Sequence, residues 1–549
     1  MTPIDWIVLF AWLIFLVSYG LWRGRGSNSV NQYLLAGKTM PWYAMGLSIM
    51  ATQASAITFV STTGQGFVDG MRFVQFYLGL PIAMVILCAT AVPIFHRAKV
   101  YTAYEYLEKR FDVKTRSLVT AVFLIQRGLG AGIALAAPAI VLSVVLGWSF
   151  QSTTLVMGGL VILYTTLGGI KAVTHADVQQ MVFIMGALVL AFGLSITLLP
   201  SDISFLDAVK LAGAAGRLNA IDTSFDLNNR YNLWSGLIGG GFLMLAYFGT
   251  DQSQVQRYLT GKSIGQSRLG LLLNAMAKVP VQFFILFIGA MVFVFFLFQR
   301  PPLLFHPVEM KRVALTAEYP ALQARYDEAL NAREAAARRV KDGAPVAQLR
   351  SAQQQVDAVR ADAQKLTHES DTNYIFLSFV TRYMPVGLVG LILGVIFTAA
   401  MSAISGEINS LATVTMIDVY QRHMHRGGND RHYLMASRLA TVFWGCYAVA
   451  FANFAQGLGT LIEAVNQVGS LFYGSMLGVF VLAFFLKQVR GTAAFCGVVA
   501  GQLAIFAVAR FTSVAYLWYN VVGALVVIAV GYGLSLVGGE NPKPVAQEI

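Results

Sequence analysis

The sequence predicts an all-helical protein that crosses a lipid bilayer about thirteen times. Composition is the first reason. Of 549 residues, 56% are hydrophobic and 12% charged, with a mean hydropathy of +0.63, whereas a water-soluble chain carries roughly 25% charged residues. So little charge cannot cover so large a particle in water. Continuous apolar runs are the second reason, because about 20 such residues match the ~30 Å hydrocarbon core. They are too long and too unbroken for the alternating ~10-residue strands of a membrane barrel. Helices are then the way left to satisfy the backbone in lipid.

In order, the expected spans are 4–22, 42–66, 73–95, 115–146, 150–169, 177–199, 233–250, 270–299, 373–421, 433–453, 460–486, 491–509 and 515–537. The run Ile4–Trp22 has Asp5 in front and no basic leader or small-residue cleavage site, so it reads as a retained helix. The ninth run is too long for one crossing and predicts a short surface helix before a span near 387–412. With the N-terminus outside and the 300–371 insertion set aside, inside segments hold twenty Lys/Arg. Outside segments hold five: Arg72, Lys210, Arg217, Arg230 and Arg510. By the positive-inside rule this bias sets the orientation, and an odd span count puts the C-terminus in the cytoplasm of a cell (plasma or inner) membrane protein. The net charge of +12 is therefore topological, and no nucleic-acid partner is expected.

The insertion Arg300–Asp371 interrupts the apolar pattern. Leu322, Tyr326, Ala329, Ala336 and Val340 recur at helical spacing, and Leu349, Ala352, Val356, Val359, Ala363 and Leu366 at heptad spacing, around Gly343 and Pro345. This predicts an antiparallel hairpin about 27 Å long on the outside, either a solvated spacer or an arm (residues 318–367) for an extracytoplasmic partner. The chain divides accordingly into spans 1–8 over 1–299, the hairpin over 300–371, and spans 9–13 with a cytoplasmic tail over 372–549.

Enzyme motifs do not stand up. Gly261-Lys262-Ser263 ends like a phosphate loop, but Gln256 stands where its upstream glycine is required, and Gly128–Gly132 lies inside a span with no preceding strand. No inside loop is long enough for a nucleotide-hydrolysing domain. Cys88, Cys446 and Cys496 fall inside spans without CxxC spacing and read as small packing residues. Polar groups within spans are costly and mark function. They concentrate in the second span (Ser48, Thr52, Gln53, Ser55, Thr58, Ser61, Thr62, Thr63) and in the ninth (Thr398 to Ser410), while five glycines loosen the seventh. Such stretches are where broken helices expose carbonyls to cations.

Four blocks carry a resemblance: Asn31–Phe59, Thr102–Phe111, Tyr164–Gln179 and Ala399–Tyr420. They resemble signatures of the sodium:solute symporter family over about residues 4–537, the hairpin excepted. The resemblance implies a LeuT-like core of two inverted five-helix repeats, one over 42–199 and one starting at 233–299, with the second and seventh spans unwound. It implies Na⁺-coupled symport of a small organic solute by alternating access. The principal Na⁺ site would use the carbonyls of Ala51, Ala54 and Ala399 and the Ser402 hydroxyl. Where the family pattern continues with Ser or Thr, this chain has Ala403, one oxygen fewer. A second cation site would draw on Asp177, Ser402 and Ser405. The solute site would include Gln53, Thr58, Tyr77, Arg127, Tyr247 and Asn466, and the sugar contacts of hexose carriers are replaced by Tyr77, Thr58 and Met244. Arg127 either anchors a substrate carboxylate or pairs structurally, for example with Glu407. Asp177 is either a cation ligand or a helix N-terminal acid. Two alternatives stand beside symport with Na⁺: proton coupling through Asp177 or Glu407, and a non-transporting sensor or scaffold acting through the hairpin.

Overall fold

The computed structural model describes residues 1–26, 29–53, 58–367, 371–454 and 461–537. Among these there is no β-strand. Ten helices are long and apolar enough to cross a membrane, and two shorter ones, Phe150–Leu163 and Ser235–Gly249, accompany them. The remaining crossing is the second, described as Trp42–Gln53, a wide-turn segment Thr58–Thr62, and Thr63–Val68.

Local chemistry sets several ends. Thr2 and Asp5 form a reciprocal cap at the start of Pro3–Gly24, and Thr102 and Glu105 do the same for the surface helix Ala103–Arg110. Asp112 caps the fourth span, Val113–Leu146. The ninth is preceded by the expected short helix, Ile375–Tyr383, and runs from Leu388 to Val414 before widening over Thr415–Met424. It is the axle of the bundle. Its most apolar stretch is 89% buried, against 28% for the first, tenth and thirteenth spans, which face lipid.

The fifth and sixth spans form one helical run, Phe150–Thr197, that turns at Gly169 with φ 58° and ψ −173°. That region is essentially open only to glycine, and a Cβ there would meet the Tyr33 ring and carbonyl. Gly169→Ala should therefore destabilise the protein by about 2 kcal/mol or more, read as a lower melting midpoint in detergent. The residues between the two expected spans are helical, not a linker.

Three further expectations are corrected by packing. Arg116 and Arg257, two of the twenty Lys/Arg counted in the inside segments, are buried. Arg116 pairs with Asp418 at 2.7 Å and Glu108 at 2.6 Å. Cys88 is buried, but Cys446 and Cys496 are exposed on outward faces, so only the first is a packing residue.

The hairpin is there, as Tyr319–Lys341 and Val346–Gln364 with Gly343 at φ 101° in the turn. Of the expected seam, Leu322, Tyr326, Ala329 and Ala336 meet Leu349, Ala352, Val356, Val359 and Ala363 in the interior. A second buried face, Leu330, Arg333 and Ala337, was not expected. It exists because the hairpin lies down on its own bundle: Arg333 donates to the Phe296 carbonyl at 2.5 Å and to Gln353 at 3.2 Å. Burial brings this guanidinium down to about 10, still protonated at neutral pH. Arg338 reaches Asp202 at 2.8 Å and Arg350 the Ala214 carbonyl at 2.9 Å. The hairpin is neither a free spacer nor an extended arm.

Candidate functional site

A cavity of about 90 Å³ lies at the centre of the bundle, between the second, third, fourth, seventh, ninth and eleventh spans. It is well below the ~300–1,000 Å³ of drug-sized sites and so suits a small solute. Five of the six residues expected around a solute line it: Gln53, Tyr77, Arg127, Tyr247 and Asn466. Thr58 is not among them; its hydroxyl donates to the Gln53 carbonyl at 2.8 Å.

Arg127 is held from two sides. Its Nη1 donates to Glu407 Oε1 at 2.9 Å, and its Nη2 to the Tyr473 hydroxyl at 2.6 Å and to Asp251 Oδ2. Tyr473 in turn donates to Asp251 at 2.9 Å, and the guanidinium lies 5.6 Å from the Tyr247 ring. Two carboxylates face one guanidinium, leaving the buried cluster one negative charge in excess. Glu407 Oε2 has no protein partner. In this arrangement Arg127 is committed to pairing, as the alternative reading had it, and Glu407 is one of its partners.

Lys278 has no ion-pair partner among the described residues. Its ammonium is buried, makes no hydrogen bond, and stands 5.1 Å from the ring of Tyr77 on the cavity wall. Asn274 and Gln282, one turn to either side on the same face of the eighth span, also bury side-chain amides without a protein partner. Groups of this kind inside a bilayer call for water, an ion or a solute.

Below the cavity, Asp177 collects three donors. Ser48 donates to Oδ2 at 2.5 Å, Arg257 Nη1 lies 2.7 Å from the same oxygen, and Ser402 donates to Oδ1. Asp177 is thus not a helix-end acid held by backbone amides. Arg257 can come this close because position 406 is glycine; a Cβ there would overlap its guanidinium. Two of its nitrogens, Nε and Nη2, remain without acceptors. Ser405 donates within its own helix to the Ser402 carbonyl at 3.1 Å. Ala51 and Ala399 are buried in the second and ninth spans, while Ala54 lies outside the described residues, as does the expected opening of the helix there. Trp12 Nε1 and Gln180 Nε2 hold the hydroxyl and carbonyl of Thr398, at 3.1 and 2.8 Å, next to Ala399. Ser402, Ser48 and Asp177 bring hard oxygens together, and the positive charge facing them here is the guanidinium of Arg257. Among the described residues no cluster of His, Cys, Asp or Glu could hold a transition metal.

Asp251, Tyr473 and Arg257 were missed from sequence. Asp251 begins the helix Gln252–Leu259 as its cap and reads locally as an ordinary helix start. Its acidity just past a glycine-rich span was the one usable signal.

The comparisons agree with this layout. The model of the sodium:solute symporter family matches residues 33–316 and 354–501, leaving most of the hairpin uncovered. The chain is 26% identical over 542 residues to the sodium/sialic acid symporter NanT of Aliivibrio fischeri, covering 96% of this chain and 92% of that one. It is 26% identical to human sodium-coupled monocarboxylate transporter 1, covering 90% and 72%. The solved structure of a Na⁺-coupled sialic acid symporter in a substrate-bound outward-open state superposes with a TM-score of 0.77 at 22% identity, over 99% of this chain and all of that one, which establishes the LeuT-like fold. This multi-pass membrane protein belongs to the sodium:solute symporter family.

Proposed function

We propose that this symporter imports a small organic carboxylate with Na⁺ across the cell membrane, with its N-terminus outside and its C-terminus in the cytoplasm. The solute would occupy the central cavity against Gln53, Tyr77, Tyr247 and Asn466. The observation that carries the reading is the partnerless ammonium of Lys278 behind Tyr77. Arg127 already faces Glu407 and Asp251, whereas Lys278, behind Tyr77, has no hydrogen-bond partner. An isolated ammonium in hydrocarbon is costly, and a carboxylate arriving beside it offsets that cost only when bound.

Na⁺ would bind at Ser402 with the carbonyls of Ala51, Ala54 and Ala399, with Asp177 and Ser405 offering oxygens on a second site or along the exit. Ala403 removes one ligand, but a single Na⁺ is enough. At a tenfold gradient and 100 mV it supplies about 3.7 kcal/mol, or roughly 500-fold accumulation.

Uptake into proteoliposomes at fixed pH should disappear when choline replaces Na⁺; undiminished uptake would favour protons. In a panel of matched acids and neutral analogues, Lys278→Gln should lower kcat/KM for the acids by about tenfold, the loss of one nearby positive charge in a low-dielectric site. Equal losses for acids and neutral analogues would make Lys278 structural and remove the carboxylate reading.

A further inference from the structure

We propose that the 300–371 insertion completes an outer vestibule that gathers small organic anions before they reach the central cavity. Two adjoining cavities lie between the hairpin and the outer end of the bundle, of about 640 and 370 Å³. Both are walled on one side by Asp69 and Arg217 and on the other by Asp357 of the hairpin. The second span serves both levels, with Gln65 in the vestibule and Gln53 in the central cavity.

The charges sort into two groups. Arg230 is neutralised by Glu463 at 2.5 Å and Arg360 by Asp371 at 2.5 Å. Arg72, Arg217 and Arg350 have no carboxylate within ion-pairing distance among the described residues. Arg217 gives one nitrogen to the Val68 carbonyl and stacks 4.6 Å from the Phe293 ring, but its buried Nε has no acceptor. Arg350 lines the vestibule and donates to the Ala214 carbonyl through Nε at 2.9 Å, with no carboxylate partner among the described residues. Two carboxylates face these three arginines, and each already accepts a glutamine amide: Asp69 from Gln65 at 2.5 Å and Asp357 from Gln353 at 2.8 Å. The balance is one positive charge in excess, on side chains whose planar forks match a carboxylate. Arg350 and Gln353 fall in the stretch that the family model leaves uncovered, while Asp69, Arg72, Arg217 and Asp357 fall in stretches it matches, so the insertion adds to a wall that the core begins. A concave wall with an excess of positive charge concentrates anions at its mouth.

The inference rests on the carboxylate reading for its purpose but not for its test. With Cys88, Cys446 and Cys496 replaced by alanine, Gln354→Cys places a reporter thiol in the vestibule. Its labelling rates with an anionic (sulfonatoethyl) and a cationic (trimethylammonioethyl) methanethiosulfonate give a ratio. Arg72→Gln and Arg350→Gln should each shift that ratio about two- to fivefold toward the cationic reagent, and the shift should shrink in high salt. An unchanged ratio overturns the vestibule. Uptake then tests loading: the double variant should raise KM for transported acids severalfold with little change in maximal rate, and an unchanged KM overturns the loading role. If the ratio shifts while the wild type carries only neutral solutes, the carboxylate reading fails and the anion-gathering field stands.

Discussion

Replacing Arg127 by glutamine should destabilise the protein by about 3–5 kcal/mol, because removing one partner of a buried ion pair strands the charge of the other. Here two charges are stranded. Asp251 is fully buried and Glu407 nearly so, and both lie in the middle of the bundle. The loss should be visible as a lower melting midpoint and lower membrane yield, and uptake of acids and neutral analogues should fall together. Neutralising the partners as well, with Asp251→Asn and Glu407→Gln, should restore most of the stability. A variant of normal stability that lost only acid uptake would instead make Arg127 a recognition residue.

Asp177→Asn should be the most damaging single change to coupling. It keeps the shape of the side chain but removes the charge that Arg257, Ser48 and Ser402 converge on. Charge-assisted hydrogen bonds contribute about 1.5–3 kcal/mol each, so Na⁺-driven uptake should drop by more than about tenfold, and its activation by Na⁺ should move to higher concentration. Ser402→Ala, which removes one hydroxyl and no charge, should shift the Na⁺ curve in the same direction with the fold intact. An unshifted curve in both variants would remove Asp177 and Ser402 from the ion's path.

What was legible in the sequence was whatever the bilayer or a repeat imposes locally. Each crossing declares itself through about 20 apolar residues, and the hairpin seam from Leu322 to Ala363 follows from heptad spacing alone. The cavity residues were also legible, because polar side chains such as Gln53 and Arg127 are conspicuous in apolar runs. Partnerships were not. Asp177 and Arg257 lie 80 residues apart, and Arg127 and Asp251 lie 124 apart; no local pattern says that two such charges meet. Arg257 sits beyond the end of an apolar run, where it counts only toward the inside charge bias and shows no partner. Leu330, Arg333 and Ala337 escaped notice because their burial depends on the surface of the eighth span at Phe296, which the hairpin's own periodicity does not encode.

The buried ion pairs share a geometry. Arg127 with Asp251 and Glu407, Asp177 with Arg257, and Arg116 with Asp418 each tie a residue before position 200 to one after 233. Two halves stitched by salt cannot slide apart like oiled plates. Every stroke of an alternating cycle has to hand these charges from one partner to another, with water or cargo standing in during the exchange. The ease of that handover, more than the fit of any apolar surface, then sets the pace of the machine.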